Sequence, residues 1–525
     1  MSTPGEQVGQ AASVRVPKRF PLASKPGFRA TTIALTDPSI RSPVSDAIMI
    51  NAYAEQDPED GQYWVEKRLG NQTLATSVGL AGGVGVSISG FGLAIFGLNI
   101  YTYVTGTGLT ALPYAGTTGT PYVPGRPTSF IQLSAPGESP SSVWAANGGM
   151  WLTSPTNYKS IQDLTATTGG VPWTVPLADG CAFLDETLYA MDQDGNIWGS
   201  NVGDTTTWVA TTLIKAGGRQ DEPVCLAQQL EYIIALKTTS LRCFYDAGTA
   251  ANTSGVGSNL AWVEGADANY GCANAGSVQL IDQSLLWLTC NDKSTPQIAR
   301  MDGLQVSVVS TPAVERLLQQ LPMSGFYALP NDTRNVVYSS GIKRGGHRFY
   351  VLTSLKVKAG GFPFTLAYDL DQQMWYLWMS PGLSYWSVTG ASAQGDDTTP
   401  GVFAQDISSG AFYALDIDQV FPTDSGVPAQ VDIYTPSWDA GTKRRKQLNV
   451  MYFASDQVSG SKMLVRKSDD DYRSWSPFRA VSLSTKRPNL TRCGSFTKRA
   501  LNIRHAAPTP FRIKASDLQL DIGTI

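Results

Sequence analysis

Apolar residues recur in short runs along most of the chain, and each run is closed by a tight polar turn. In LYAMDQDGNIWGSNVGDTTTW, Leu188 to Trp208, the apolar Leu188, Tyr189 and Met191 predict one strand. Asp192-Gln193-Asp194-Gly195-Asn196 supplies an Asp-Gly hairpin turn, Ile197 and Trp198 resume the strand, and Ser200 to Asp204 turns again. The same unit returns in LEYIIALKTTSLRCFYDAG from Leu230, LLWLTCNDKSTPQIARMDG from Leu285, FTLAYDLDQQMWYLWMS from Phe364 and VFAQDISSGAFYALDID from Val402. Repeated small antiparallel units predict an all-β chain: a β-propeller core with additions at both ends.

The flanking segments differ. Residues 1–45 are rich in Pro, Ser, Thr and Arg, and Pro17, Pro21, Pro26, Pro38 and Pro43 forbid a long helix. They predict an extended N-terminal arm, either a disordered tail or a segment that orders on a partner. The propeller region is expected over 46–424, with a Gly-rich β insertion at about 71–140 and LAIFGLNIYTYV from Leu93 as its clearest hairpin material. TPAVERLLQQL, Thr311 to Leu321, is the one helix the periodicity predicts. Thr311 caps it, Pro312 opens it, and Val314, Leu317, Leu318 and Leu321 share a face. After a Pro/Gly-rich boundary at 422–442, residues 425–525 read as a separate C-terminal β-domain, basic between 443 and 514.

Composition narrows this picture. Charged residues are only 16% of 525, apolar residues 42%, and Gly 51 and Pro 31 suit many short strands. A net charge of −3 argues against general coating of nucleic acid, though not against a local basic patch. The six cysteines, at 181, 225, 243, 272, 290 and 493, show no CxxC pair, so they predict reduced core residues of a protein made in a cytoplasm rather than a zinc site. The N-terminus lacks the apolar segment of a signal peptide. Val78 to Leu98 is uncharged and long enough to span a bilayer, but Val84, Val86 and Ile88 alternate with small residues and the flanks lack Lys/Arg asymmetry. Buried or intersubunit β-structure is the expectation there, with no stable membrane insertion.

Candidate chemistry is sparse. The two histidines, His347 and His505, lie far apart in sequence, and neither neighbours a nucleophile elbow. His347 reads as a hydrogen-bonded turn residue. Asp192 to Asn196 faintly resembles the start of a calcium loop, yet position 203 is Gly where the bidentate acid belongs. Ser468-Asp469-Asp470-Asp471-Tyr472-Arg473-Ser474-Trp475 is similar to the Asp-box turn of sialidases, with Ser468, Asp470 and Trp475 as its structural residues. No catalytic, cofactor-binding or metal residue is expected, and no enzyme activity. The run Lys443-Arg444-Arg445-Lys446, with Arg492 and Arg499, faces either DNA or an acidic partner, or is a solvated turn.

Several segments, taken in order, resemble the tail nozzle proteins of short-tailed bacteriophages, also called packaged-DNA stabilisation or tail tube B proteins. They are Ile50-Asn51-Ala52-Tyr53-Ala54-Glu55, Lys67-Arg68-Leu69-Gly70, Ser200 to Asp204 with Trp208, and Gly271-Cys272-Ala273. Ala299-Arg300-Met301-Asp302-Gly303 leading to Val309 to Glu315 follows, then Gly346 to Leu352 with Tyr368-Asp369 and Trp375-Tyr376. Arg492-Cys493-Gly494-Ser495 with Arg499, and Pro510 to Ile513, close the series. Residues 71–140 depart from the pattern, being longer and richer in glycine. The resemblance implies a virion tail protein assembled in the host cytoplasm, forming a homo-hexameric ring below the portal. Its partners would be the portal-adaptor protein, tail fibre or spike, needle or plug proteins, and double-stranded DNA passing through the lumen. The alternative is a propeller that binds or hydrolyses glycans at a host surface; a third is a generic scaffold for protein partners.

Overall fold

Five strands in successive repeats end on an aspartate, and each of these carboxylates is engaged where its strand ends. Asp192 accepts the amides of Asp194 and Asn196 (2.9 Å each), the Asn196 side chain (2.9 Å) and the Trp198 indole N–H (2.8 Å). Asp246 takes the Gly248 amide at 2.7 Å, Asp369 the Asp371 amide at 2.9 Å, and Asp406 the Ser409 amide at 2.7 Å. Asp302 accepts from the Ser284 hydroxyl at 2.6 Å. Backbone donors left over at a strand end need partners, and a short carboxylate supplies them without lengthening the loop. The calcium-like stretch at 192–196 is therefore a hairpin turn, as its sequence predicts.

The computed structural model describes residues 15–20 and 48–522, except 60, 76–83, 89–90, 97–98, 105–107, 117–129, 134–140, 166–169, 218–220, 249–257, 290–295, 323–336, 393–402, 408, 410 and 416–422. The described chain is all-β apart from the short helices Ile161–Thr165 and Pro312–Leu318 and one 3-10 turn. It forms two compact units, residues 70–426 and residues 1–69 with 427–525.

Within 70–426, seven antiparallel four-stranded sheets are seen among the described residues. In chain order the blades lie at 84–111, 131–160, 177–215, 223–262, 279–308 and 337–377. The seventh takes Val388–Ser392, Phe403–Asp406 and Phe412–Ala414, and its fourth strand is Gln72–Ala75, from the start of the unit. Its first strand pairs in parallel with Val84–Ile88 of the first blade, Gly390 opposite Gly85 and Ala391 opposite Val86. The third and fourth blades touch through their first strands in the same parallel sense, Asp179 opposite Cys225. Successive sheets that meet along their first strands and close last onto first make a β-propeller.

Packing explains the near-continuous apolar strands. Leu188 and Ala190 join a core with Val143 and Met150 of the preceding blade, whereas Tyr189 and Met191 join one with Leu226 and Ile233 of the following blade. A third core joins Ile234, Leu236 and Cys243 to Trp287 and Met301. Strands in the middle of the blades are buried on both faces, so Thr187–Asp192, Ser284–Thr289 and Phe364–Asp369 carry no exposed residue, whereas the outer strand Gln305–Val308 is largely exposed. Five cysteines, Cys181, Cys225, Cys243, Cys272 and Cys493, are free thiols buried in these cores and in the second unit; Cys290 lies outside the described residues. Burial pushes the Cys243 and Cys272 thiols up to about 12, so they are poor nucleophiles.

The helix forms with the predicted cap but is shorter than Thr311–Leu321, spanning Pro312–Leu318. Thr311 caps it by accepting the Val314 amide, Pro312 opens it, and Ala313, Val314, Leu317 and Leu318 are buried. Two expectations are corrected. The Gly-rich stretch is not an insertion: Val84–Ile88, Phe91–Phe96, Asn99–Val104 and Gly108–Ala111 form the first blade, whose inner strand pairs with the seventh. The described part of 78–98 is therefore strand, and among the described residues no helix is long and apolar enough to cross a membrane. The propeller also starts later than residue 46, because residues 48–67 belong with the C-terminal strands. Ile48–Ile50 pairs with Val431–Tyr434, and Tyr63–Lys67 pairs with Arg512–Ile522. Hydrogen bonds to distant strands outweigh sequence proximity here.

Among the described residues that second unit has two sheets. One orders Ala52–Gln56, Tyr63–Lys67, Arg512–Ile522, Lys446–Ser455 and Asn489–Phe496, with Arg15–Phe20 added to Arg512–Ile522. The other carries Ile48–Ile50, Val431–Tyr434, Ala500–His505, Lys462–Ser468 and Arg479–Ser482.

Gly180 gives a sharp test of the inner packing. It sits at φ +78°, and an added Cβ would lie 2.2 Å from the Leu226 carbonyl oxygen and 2.7 Å from the Cys225 sulfur. Gly180→Ala is expected to cost about 3 kcal/mol in urea denaturation, from overpacking plus backbone strain. Gly303→Ala, also at positive φ but with nothing near the added carbon, should cost only about 1 kcal/mol.

Candidate functional site

The basic residues singled out by sequence all fall in the second unit, and the structure divides them into two kinds. Lys443, Arg444 and Arg445 are exposed on the turn that enters Lys446–Ser455. That turn is held by Asp439, which accepts the Gly441 amide at 2.9 Å, and by Thr442, which accepts the Arg444 amide at 3.2 Å. Arg445 reaches across to the Ser495 hydroxyl (2.8 Å). Arg492 is exposed on a bulge of the adjacent strand, where Leu448 faces Gly494 but Val450 faces Thr491. Arg492 itself sits at φ +54°.

Lys446 and Arg499 are different, and the expectation that they face a partner is corrected. Lys446 is fully buried, and its ammonium donates to three carbonyls, Thr442 (2.6 Å), Arg444 (2.9 Å) and Thr497 (2.6 Å). Arg499 is 1% exposed. Its guanidinium forks onto Asp469 at 2.6 and 2.8 Å, donates to the Cys493 carbonyl at 3.0 Å and lies 4.2 Å over the Phe496 ring. A cation that ties several backbone carbonyls or a carboxylate inside a fold is structural chemistry.

Much of the remaining positive charge is spent locally. Arg504 is paired with Asp432 (2.8 Å), Arg512 with Glu66 (2.6 Å), Lys514 with Asp57 (2.5 Å) and Lys498 with Asp471 (2.7 Å). The Lys514 ammonium holds the Asp57 carboxyl at about 2. Arg466 stacks on Trp475 and Phe478, at 5.0 and 4.5 Å. Around the bulge, Lys467 donates to the Cys493 carbonyl (2.6 Å) and Arg479 to the Arg492 carbonyl (3.4 Å). Burial, then the neighbouring Arg499 charge, depresses the Lys467 pKa. Arg445, Arg479 and Lys467 thus all donate to the 492–495 stretch that carries exposed Arg492, and nearby Asp469 is clamped to Arg499. Sequence reasoning missed Arg479. Its only signal was the Asp-box-like turn before it, which folds that stretch back beside 492.

That turn forms with the geometry its resemblance implies. Ser468 accepts the Tyr472 amide (3.0 Å) and donates to Asp470 (2.8 Å). Asp470 accepts the Ser474 amide (2.9 Å) and hydroxyl (2.5 Å), which hold its carboxyl down at about 2. Tyr472, where the motif has glycine, adopts φ +68° and is anchored by its hydroxyl to the Thr435 carbonyl (2.8 Å). Trp475 packs edge-on to Tyr434 at 5.6 Å. Ser468, Asp470 and Trp475 are therefore used within the turn.

The histidines are buried. His347 Nδ1 lies 2.7 Å from Asp369 at a hairpin turn, as expected. His505 Nε2 lies 3.0 Å from the Ser461 hydroxyl, a proximity the sequence did not reveal. The same Nε2 lies 3.3 Å from the Thr509 hydroxyl, which is itself 3.0 Å from the Ser461 hydroxyl, so the three groups form one polar cluster. Burial, and secondarily the Lys67 charge, lowers the His505 pKa to about 4. Among the described residues no group of three His, Cys, Asp or Glu is placed to hold a metal.

Two expectations follow. Lys446→Met should cost about 2–4 kcal/mol, because three carbonyls lose the buried ammonium that ties them together, while Lys443→Ala and Arg444→Ala should stay within about 0.5 kcal/mol in the same denaturation assay. His505 has a folded pKa of about 4 against 6.5 unfolded, so the unfolded chain takes the proton first. Its contribution is complete above pH 6.5 and falls away towards pH 4, by up to about 3 kcal/mol. His505→Gln should remove that component from the pH dependence of the denaturation midpoint.

No family model and no curated protein matches the chain. Among solved structures it is similar to the N-terminal domain of Nup159 (8% identity, TM-score 0.34, covering 70% of this chain and 98% of that one). It is also similar to BBS1N, solved in complex with ARL6DN (11%, 0.35, 71% and 98%), and to BamB from Moraxella catarrhalis (11%, 0.32, 71% and 99%). The fold itself rests on the strand order: an all-β chain built on a β-propeller.

Proposed function

We propose that the protein is a tail nozzle subunit of a short-tailed bacteriophage, a structural component that extends the DNA channel and retains packaged DNA until ejection. The observation that carries this reading is the order of the segments that resemble that family. Ala299 to Gly303, the Thr311-capped helix and His347 to Leu352 come one after another along neighbouring blades, and Arg492 to Ser495 with Arg499 make the clamp of the second unit. The protein acts mechanically, as conduit and joint. DNA in a tail must slide, and many phosphate contacts would impose salt-dependent friction. Exposed Arg445, Arg479 and Arg492, gathered at the 492–495 bulge, are better suited to an acidic surface of the portal-adaptor protein or a neighbouring subunit. The Asp-box-like turn gives no support to glycan cleavage, since its polar groups are consumed in the turn.

Native mass spectrometry with negative-stain class averages tests the reading. A closed, hexameric ring with a hole wide enough for a DNA duplex is expected, alone or on the adaptor. A protein that stays monomeric even with the adaptor, and that binds or turns over a host glycan, would overturn it.

A further inference from the structure

The strand Arg15–Phe20 pairs antiparallel with the C-terminal strand over six rungs, from Arg15 opposite Asp521 to Phe20 opposite Ser516. Covalently it is joined to the next described strand, Ile48–Ile50, through 27 residues, 21–47. At about 3.3 Å per residue such a tether reaches up to ~90 Å. Connections inside compact domains are usually about 4–6 residues, so this one is far longer than local return requires. Its reach is several times the ~30 Å diameter of a small domain.

The ladder is also matched in charge. RVPKRF carries Arg15, Lys18 and Arg19 and no acid, and the edge it meets carries Asp517 and Asp521. The register sets Arg15 opposite Asp521 and Arg19 opposite Asp517. Opposite charges directly across a ladder favour pairing and fix register. Pro17 cannot donate to a further strand, which suits an outermost position. Backbone ladders do not distinguish one copy of a chain from another, and exchange of an identical element between copies is a low-cost route to association.

We propose that in the assembled protein Arg15–Phe20 of one copy adds to the 516–521 edge of a neighbouring copy, linking subunits by strand exchange. This rests on the ring reading only in needing a neighbour. The test uses full-length chains in a Cys290→Ser background. Arg19→Cys is placed in a copy carrying a mass tag and Asp517→Cys in an untagged copy; the two are co-assembled and mildly oxidised. Arg15→Cys with Asp521→Cys probes the other end of the ladder, so that poor geometry at one rung is not mistaken for absence.

Exchange predicts a disulfide product of combined tagged and untagged mass. It also predicts covalent multimers when both cysteines of a pair are in one chain. Rings that form yet give only intrachain closure, or no closure at either pair, would overturn exchange and leave the ring reading standing. Chains that form no ring with the adaptor present and close only on themselves would overturn both.

Discussion

Two-sided burial is the constraint on which the propeller depends. Alternate residues of one strand face opposite neighbours: Leu188 and Ala190 pack against the blade before, Tyr189 and Met191 against the blade after. An isolated blade would expose two apolar faces, and apolar area returned to water costs roughly 25 cal/mol per Å². The repeat is therefore stable only as a closed series. Closure is achieved by Gln72–Ala75, which completes the last blade, and by the parallel contact of Gly390 and Ala391 with Gly85 and Val86.

The aspartates at strand ends are the second recurring device. A propeller of short strands has many turns, each with stranded amides. Asp192, Asp246, Asp369 and Asp406 satisfy them from within the strand, which keeps the loops short and the blades in register. Asp369 does this while also engaging the buried His347, so a residue pair that looks reactive on paper is occupied by architecture.

The second unit shows how misleading a count of charges can be. Its basic sequence is real, but Lys446 and Arg499 are interior ties and four further cations are paired at 2.5–2.8 Å with acids of the same unit. The exposed cations at the bulge, Arg445, Arg479 and Arg492, come from three stretches of sequence. A desolvated guanidinium held by a carboxylate and a carbonyl cannot also serve a partner, so burial decides the role and residue type does not.

Local patterning was enough to establish the strand-turn repeat, the all-β class, the Thr311-capped helix, the core cysteines and the Asp-box-like turn. Each depends on contacts within a few residues or on a two-residue alternation that any strand must obey. What only tertiary structure decided depends on long-range pairing. The Gly-rich stretch became a blade because the seventh blade supplied its neighbour. Residues 48–67 joined strands more than 350 positions away because hydrogen-bond ladders ignore sequence distance. His505 met Ser461, and Arg479 met Arg492, for the same reason. Lys443 and Lys446 stand three positions apart in one basic run, and only the three carbonyls converging on one ammonium distinguish the interior tie from the exposed cation.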